Sequence, residues 1–402
     1  MFKILQISNK APYPSNDGSS IAIFNMAKGL IENNVELHLL TINTKKHFKP
    51  DDEVPIDFKI KSNYKSVYKN TNTSFFGAFF NLFSPRSYFI SRFYFKSYKN
   101  KLIEVLKSNN FDFIQIEGLF MAIYIDVIRK NSKAKIILRA HNIEHYIWNR
   151  HKQIESNYFK LKYLSLQNKR LKDFEIKMLS KVDALVPITK IDEHEFKLLG
   201  CTKPLFTCIT GVDVSLYQKK IEVKEKAKTI FYFGSMDWIP NQEAVKWFLD
   251  FCWDEIYKAV PDSKFIIAGK GIPLNFFHIN KPNVLIVENV IDGKEFFLQH
   301  QVMIVPLWSG SGLRIKIIEG MSYGKAIVST SIGAEGINHT HQKNILIADN
   351  PYDFIQSVIE LLTKKDLCKN IQLEASKLAL NHFDNLVVVS ELVQFYKKLS
   401  HV

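Results

Sequence analysis

The chain has 402 residues, of which 46% are hydrophobic and 23% charged, and its formal net charge is +14. This length fits two domains of about 200 residues better than a single core, and the composition excludes a disordered chain. The surplus of basic residues favours anionic partners, namely nucleic acid, phosphorylated ligands or an acidic membrane face.

The cysteines and the first residues predict a cytoplasmic protein. No CxxC pair occurs, so we expect reduced thiols and neither a zinc site nor a disulfide framework. The short apolar run at residues 1–14 ends in a polar loop, unlike that of a signal peptide. No stretch approaches the roughly 18 apolar residues of a membrane-spanning helix.

Short apolar runs alternate with helical patterns in the first half of the chain. Strands are predicted at Lys3–Ser8, Val35–Ile42, Phe111–Ile116, Lys135–Arg139 and Ala184–Ile188. Helices are predicted at Ser20–Glu32 and Ser156–Leu179. This alternation predicts a parallel sheet with helices on both faces.

A second series of the same kind follows. Its predicted strands are Thr229–Phe233, Lys264–Ala268, Val284–Val287, Val302–Pro306 and Ala326–Thr330. Its predicted helices are Asn241–Ala259, Gly293–His300, Gly312–Tyr323, Tyr352–Thr363 and Lys365–Asn381. The predicted fold class is therefore α/β, with two doubly wound parallel sheets, which would enclose one cleft if they face each other.

The segment between the two series is typical of a linker, because it contains Pro204, Gly211 and most of the charged run Lys219–Lys228. We place an N-terminal domain at residues 1–205 and a C-terminal domain at residues 206–383. The remainder, residues 384–402, contains a predicted helix at Asp384–Leu399 with Asp384 as its N-cap.

The segment Val302–Ile337 carries the most chemistry, because a strand runs through the turn Ser309–Gly312 into a helix. A helix N-terminus behind a glycine turn is an anion site. With Arg314 and Lys316 it would hold two phosphates, and Glu319 would accept hydrogen bonds from ribose hydroxyls. The sequence is neither GxGxxG nor a Walker loop, so a plain turn with surface cations remains an alternative.

This segment resembles the donor site of retaining glycosyltransferases of family four (group 1), which have the GT-B fold. From Gly310 to Gly336 it follows a branch that reads GSGLR-K-LEA-GK-VVST-GAEG. The family has two glutamates separated by seven residues. The second matches Glu319, but Ser311 stands at the first, where main-chain amides would substitute. The resemblance implies two facing Rossmann-like domains with a deep cleft, and a C-terminal helix that crosses back onto the N-terminal domain.

The resemblance also assigns residues that follow earlier strands. The turn Phe233–Asn241 lacks the arginine and lysine that many members place there, so Arg314 and Lys316 would take that role. Without the resemblance, the turn glycines predict turns alone. The implied donor-binding residues are Gly18, Gly234, Ser235, Gly269, Val290, Gly310, Ser311, Gly312 and Leu313, and the implied catalytic residues are His141, Arg314, Lys316 and Glu319.

Two features of the first half point to the acceptor side. Gly18 lies in a glycine loop that in the family approaches the donor diphosphate or the acceptor, although a simple capped loop is the alternative. His141 follows the strand from Lys135 and matches a histidine that in the family lies near the transferred sugar. A structural histidine is the alternative. Glu117 and Glu144 are further candidates for acceptor contacts.

Residues 59–109 contain ten Lys or Arg, thirteen aromatic residues and one acid, Glu104. This mixture suits the surface of an anionic membrane, but it also fits a helical hairpin with an aromatic core. It suits single-stranded nucleic acid as well, but no nucleic-acid-binding motif accompanies it, so we expect no nucleic acid partner.

The resemblance implies transfer of a hexose-type unit, with retention, from a nucleotide-diphosphate sugar to a carbohydrate or lipid-linked acceptor. We expect the pathway to build a cell-surface polysaccharide or glycolipid at the inner face of the membrane. No DxD motif occurs, so we expect neither metal nor cofactor. The alternatives are a sugar-nucleotide epimerase, a phosphorylase, or a non-catalytic protein that binds sugar nucleotides or nucleic acid.

Overall fold

The structure is a computed structural model. It describes residues 1–13, 18–45, 48, 50–153, 157–214, 225–309 and 313–400. Contacts divide the chain into two units. Unit 1 comprises Met1–Gly211 and the residues from Val388 onward, and unit 2 comprises Val212–Val387.

The sheet of unit 1 has six parallel strands in the order β3-β2-β1-β4-β5-β6. The strands are β1 Lys3–Ser8, β2 Glu36–Thr44, β3 Lys65–Lys69, β4 Phe113–Glu117, β5 Lys135–Ala140 and β6 Ala184–Pro187. The central strands are buried at nearly every position, as expected for a parallel sheet covered on both faces. The five predicted strands are confirmed, whereas the half-exposed edge strand β3 was missed.

Helices cover both faces of this sheet. They are α1 Gly18–Glu32, α2 Ile56–Lys61, α3 Phe75–Phe80, α4 Tyr88–Ser91, α5 Lys96–Lys107, α6 Ile125–Asn131, α7 Glu144–Gln153, α8 Tyr158–Lys181 and α9 Lys190–Leu198. The predicted start of α8 at Ser156 lies outside the described residues. Residues 59–109 do not form the helical hairpin that was one prediction, because they contain β3, the short helices α3 and α4, and α5.

The sheet of unit 2 has six parallel strands in the order β12-β11-β10-β7-β8-β9. They are β7 Lys226–Phe233, β8 Lys264–Gly269, β9 Val284–Glu288, β10 His300–Val305, β11 Ala326–Ser329 and β12 Leu346–Ile347. All five strands predicted here are confirmed, and the two-residue edge strand β12 was missed. The loops that contain the predicted donor-binding residues Gly234, Gly269 and Val290 lie at the carboxyl ends of β7, β8 and β9.

The remaining helices are α10 Ile239–Phe248, α11 Asp254–Ala259, α12 Gly293–Gln299, α13 Ile315–Ser322, α14 Pro351–Thr363, α15 Lys365–His382 and α16 Asn385–Ser400. A π-helical turn at Leu249–Trp253 joins α10 to α11, so the predicted helix Asn241–Ala259 is continuous but irregular. Helix α13 begins at Ile315, whereas its predicted start, Gly312, lies outside the described residues. No helix in the described ranges is long and apolar enough to span a bilayer.

The contacts divide the chain a few residues after the predicted boundaries at 205/206 and 383/384. After residue 205 the backbone still pairs with β6, since Phe206 N donates to Leu185 O (3.2 Å) and Cys208 N to Pro187 O (2.9 Å). At the other end, Tyr396 stacks on Phe113 of β4 with ring centroids 4.9 Å apart, so this part of α16 packs within unit 1. Of the predicted linker run Lys219–Lys228, residues 219–224 lie outside the described residues.

Candidate functional site

Three loops lie side by side at the carboxyl edge of the unit 2 sheet. Gly234 after β7 donates its N–H to Ala268 O (3.0 Å), and Asn289 after β9 donates to Gly269 O (2.8 Å). The predicted residues Gly234, Gly269 and Val290 therefore lie on neighbouring loops. This edge is where open parallel sheets bind ligands.

The first two loops approach each other too closely for any side chain. A Cβ on Gly269 would lie 1.8 Å from Gly234 O, and Gly269 also has φ +147°, which disfavours other residues. A Cβ on Gly234 would lie 2.7 Å from Nζ of Lys316. Gly269 is therefore required by the backbone packing, whereas a side chain at Gly234 would displace the end of the lysine.

Lys316 extends from the first turn of α13 to this edge. Its Nζ donates to Tyr232 Oη (2.9 Å) and to Asn241 Oδ1 (3.1 Å), and it also lies 4.5 Å from the centre of the Tyr232 ring. Burial, reinforced by the charge of Arg314, lowers the pKa of Lys316 to about 7. An anion at this site would favour the charged ammonium form again.

Arg314 and Glu319 flank the lysine. Arg314 is the N-cap residue of α13, is buried, and its guanidinium carbon lies 5.6 Å from the centre of the Trp238 ring. Burial raises the pKa of Glu319 to about 7, against the opposing charge of Lys316. Two cations at a helix N-terminus oppose the helix dipole, and a bound anion would offset this repulsion.

Ser235, another predicted residue of this edge, makes its hydrogen bonds within its own loop and with α10. Its hydroxyl donates to the carboxylate of Asp237, and its carbonyl accepts a hydrogen bond from Asn241 Nδ2 (2.7 Å). Leu313 is partly buried, and its carbonyl accepts the N–H of Ile315 (3.2 Å). Three further predicted residues, Gly310, Ser311 and Gly312, lie outside the described residues.

The sequence analysis missed three residues of this cluster. Tyr232 and Asn241 hold the lysine, and Trp238 lies beneath the arginine. Trp238 and Asn241 stand in the turn Phe233–Asn241, which the family resemblance had already assigned to the donor site, so the sequence did indicate that part of the site. Tyr232 has no such signal, because in the sequence it is one apolar position among several in a buried strand.

Two candidate residues of unit 1, Glu117 and His141, lie together in one buried cluster. Glu117 at the end of β4 is fully buried and accepts hydrogen bonds from Arg139 Nη1 (3.0 Å), His141 Nε2 (2.6 Å), Gln6 Nε2 (2.8 Å) and Gln115 Nε2 (2.5 Å). Burial alone would raise its pKa, but the charge of Arg139 and the bond from His141 lower that pKa to about 2. Glu117 is therefore ionised at neutral pH.

His141 is held by this anion through one ring nitrogen. Because a carboxylate only accepts hydrogen bonds, Nε2 carries the proton, and Nδ1 is the acceptor of the neutral ring. Its side chain is 12% exposed. The histidine can thus accept a hydrogen bond from a hydroxyl group through Nδ1.

A second acidic cluster lies at the start of α7. Burial, then the charge of Glu175, raises the pKa of Glu144 to about 8. Glu175 accepts the N–H of Glu144 (3.0 Å) and the Nδ1 proton of His145 (2.5 Å). Gly18 begins α1, and among the residues that the structure describes, a Cβ there would meet no atom within 4 Å. Asn16 and Asp17 of its loop lie outside the described residues.

Comparison with known proteins identifies relatives of both sequence and fold. Residues 227–364 match the family model described as "Glycosyl transferases group 1". A Klebsiella pneumoniae protein described as an "uncharacterized 44.6 kDa protein in cps region" is 22% identical over 404 residues. The match spans 98% of this chain and 99% of the Klebsiella protein.

Solved structures of glycosyltransferases superpose on nearly the whole chain. HepE of Anabaena, solved with UDP and glucose, has a TM-score of 0.67 at 11% identity and covers 99% of this chain and 100% of its own. Sucrose-phosphate synthase of Thermosynechococcus elongatus has a TM-score of 0.70 at 11% identity, with 99% of both chains covered. TarM of S. aureus, solved with UDP and fondaparinux, has a TM-score of 0.67 at 11% identity and covers 98% of this chain and 100% of its own.

The sequence similarity to the family model is confined to unit 2, whereas the structural similarity extends over nearly the whole chain. Residues 227–364 are similar to a glycosyl transferase group 1 domain, and the chain has the two-sheet GT-B fold of glycosyltransferases of known structure.

Proposed function

We propose that the protein transfers a hexose unit, with retention, from a nucleotide-diphosphate sugar to a hydroxyl acceptor. One observation carries this proposal: Arg314 and Lys316 share a partly buried site at the N-terminus of α13, beside the glycine turns of the sheet. Such a site suits the two phosphates of a donor. The family match over residues 227–364 and the fold support the same activity.

The cations would act mainly on the leaving group. The bond between the anomeric carbon and the phosphate oxygen breaks, and the nucleotide diphosphate leaves with the bonding electrons. The acceptor oxygen forms the new bond on the same face, and its proton passes to the departing phosphate. Lys316 and Arg314 would stabilise the developing charge more in the transition state than in the ground state.

Glu319 and His141 would position the two sugars of the donor. Glu319 lies one turn below Lys316 and would accept hydrogen bonds from the ribose hydroxyls. The Nδ1 atom of His141 would accept a hydrogen bond from a hydroxyl of the transferred sugar, since Glu117 occupies Nε2.

We further propose that the reaction needs no metal ion and no cofactor. The charge that a divalent cation would neutralise is matched by Lys316 and Arg314. Within the part of the chain that the structure describes, no group of three or more acidic, histidine or cysteine side chains is placed to bind a metal.

The acceptor that we propose is a carbohydrate or a lipid-linked saccharide of a cell-surface polysaccharide or glycolipid. The description of the Klebsiella pneumoniae relative, which places that protein in a cps region, supports this pathway. HepE and TarM were both solved with UDP, so UDP-sugars are the donors to test first.

Release of nucleotide diphosphate from a panel of UDP-, GDP- and ADP-sugars tests the activity. We expect turnover of one donor by the wild type, and a fall of about 100-fold or more in Lys316→Met. The exposed Lys369→Met is the matched control and should keep full activity. If the wild type binds a nucleotide but turns over no donor, with or without acceptor saccharides, the activity is wrong and a non-catalytic binding protein takes its place.

A further inference from the structure

One short helix of unit 1 has its large apolar side chains on the outside. Helix α3 has the sequence FFGAFF, and none of its residues is buried. Its four phenylalanines and the nearby Phe83 are between 50% and 81% exposed. We call these five residues, Phe75, Phe76, Phe79, Phe80 and Phe83, the Phe ridge.

The side of α3 that faces the protein carries glycine. A Cβ on Gly77 would lie 2.8 Å from Tyr88 Oη, so the helix packs closely there. An ordinary surface helix has the opposite orientation, because burial of phenylalanine stabilises the fold and burial of glycine does not.

Hydrogen bonds to α4 and α8 hold the helix in this orientation. Ser74 N donates to Tyr88 Oη (2.9 Å), and Ser74 also caps the helix. Arg170 donates to the carbonyls of Asn81 (3.0 Å) and Leu82 (2.9 Å). The rings also pack against one another: the centre of the Phe79 ring lies 5.8 Å from that of Phe80 and 6.2 Å from that of Phe83. These contacts therefore hold the rings of the ridge in exposed positions.

The ridge is large for a monomer surface. At roughly 150–250 Å² for each fully exposed ring, its side chains leave on the order of 600 Å² of apolar area in contact with water. The largest apolar patch of a typical soluble monomer is about 300–600 Å² and is often functional, so the ridge alone reaches the upper end of that range.

The chain segments that flank the ridge in the sequence, and the part of α8 that contacts it through Arg170, are basic. Residues 62–103 contain no Asp or Glu but seven Lys or Arg. The adjoining half of α8, through residue 172, has five basic residues and no acid: Lys160, Lys162, Lys169, Arg170 and Lys172. Next to Arg170 lies a cavity of about 330 Å³, lined by four cations (Arg86, Arg170, Lys177 and Lys181) and two carboxylates.

We propose that the Phe ridge inserts into the surface of a bilayer that contains anionic lipids, and that the basic residues around it contact the lipid headgroups. Aromatic rings that protrude beside basic side chains fit the interface between headgroups and acyl chains. A second copy of this chain fits less well, because it would bring the same positive charge against this surface. This inference goes beyond the proposed glycosyl transfer and does not depend on it.

Sedimentation of the full chain with vesicles tests the inference. The vesicles are phosphatidylcholine alone, or phosphatidylcholine with about 30% phosphatidylglycerol. We expect the wild type to sediment with the anionic vesicles and to be released by salt. The double variant Phe75→Ser/Phe76→Ser should lose at least about ten-fold in binding, whereas Phe75→Leu/Phe76→Leu should keep most of it. The exposed pair Phe251→Ser/Leu274→Ser of unit 2 is the matched control and should bind like the wild type.

Thermal melting of each variant shows that loss of binding is not loss of fold, because substitution of exposed rings leaves the core intact. Equal binding by the wild type and Phe75→Ser/Phe76→Ser, or no binding to either kind of vesicle, would overturn the inference. A dimer in solution that the serine variant abolishes, or tighter binding to single-stranded poly(dT) than to vesicles, would assign the ridge to another partner and overturn it as well.

Discussion

The Nε2 atom of His141 lies 2.6 Å from Oε2 of Glu117, a fully buried carboxylate that also pairs with Arg139 at 3.0 Å. Three charged or titratable groups at the carboxyl ends of two adjacent strands, β4 and β5, are thus joined through one side chain. This relationship fixes the ring orientation and the protonated nitrogen of His141, and it makes the histidine dependent on the integrity of a buried ion pair.

Substitution of Glu117 should therefore destabilise the protein strongly. We expect Glu117→Gln to lower the free energy of unfolding by about 3–5 kcal/mol, because Arg139 stays buried without its anion. The double variant Glu117→Gln/Arg139→Met, which removes both charges, should recover part of that loss. Urea unfolding measures both, and a single variant as stable as the wild type would show that the pair is not coupled as described.

Two glycines should respond differently to alanine. Gly269→Ala should destabilise the protein by about 3 kcal/mol, because its Cβ would clash with Gly234 O and its φ is positive. Gly18→Ala should change stability by less than about 0.5 kcal/mol, since its added Cβ would have no atom of the described residues within 4 Å, apart from those of its chain neighbours.

Activity then separates the two interpretations of Gly18. If its loop contacts the donor or the acceptor, Gly18→Ala loses turnover of the donor sugar at an unchanged melting temperature. Unchanged turnover would remove Gly18 from the binding residues and leave it as the first residue of α1.

Donor binding should take up protons above neutral pH. Because burial lowers the pKa of Lys316 to about 7, the free protein carries mostly neutral lysine at about pH 8. A bound diphosphate favours the ammonium form, so binding should take up most of one proton. Calorimetry in HEPES and in Tris, whose ionisation enthalpies differ, measures this uptake. Lys316→Arg, which stays charged, should abolish it, and equal enthalpies for the wild type in both buffers would contradict the account.

The Glu144 carboxyl should make stability fall as pH rises. Its pKa in the folded protein is about 8, above the ordinary value of 4.5, because of burial and the charge of Glu175. Its contribution is therefore fully present below about pH 4.5 and is lost as pH rises through about 8. Glu144→Gln should gain in melting temperature relative to the wild type between about pH 5 and pH 9. The exposed Asp366→Asn is the control, and a constant difference between Glu144→Gln and the wild type would contradict the assignment.

The sequence predicted most of the strands, since parallel strands are continuous apolar runs that stand out locally. It missed β3, whose residues Lys65–Lys69 are polar and half-exposed, and β12, which has two residues. The other two edge strands, β6 and β9, are apolar runs and were predicted, so the weak apolar patterns of β3 and β12 explain why they were missed. Each of them forms only by pairing with a neighbouring strand that is distant in the sequence, so a short segment of sequence does not predict it.

The candidate site was predicted in part for a similar reason. Arg314, Lys316 and Glu319 stand in one short motif, so their proximity is local. The contacts of Lys316 with Tyr232 and Asn241 depend on how β7, α10 and α13 pack. The aromatic residues of 59–109 show the same limit, because Phe89 and Phe93 are core while Phe75 and Phe76 are exposed. Composition alone does not separate these two groups.

The central claim is a metal-independent site for a nucleotide diphosphate in unit 2. A thermal-shift comparison of UDP, GDP, ADP, TDP and CMP, with and without EDTA, tests it most directly, since a ligand that binds only the folded state raises the melting temperature. We expect one nucleotide diphosphate to stabilise the wild type equally in EDTA, and to stabilise Lys316→Met far less but Lys369→Met fully. Stabilisation by none of the five, or only without EDTA, would contradict the claim.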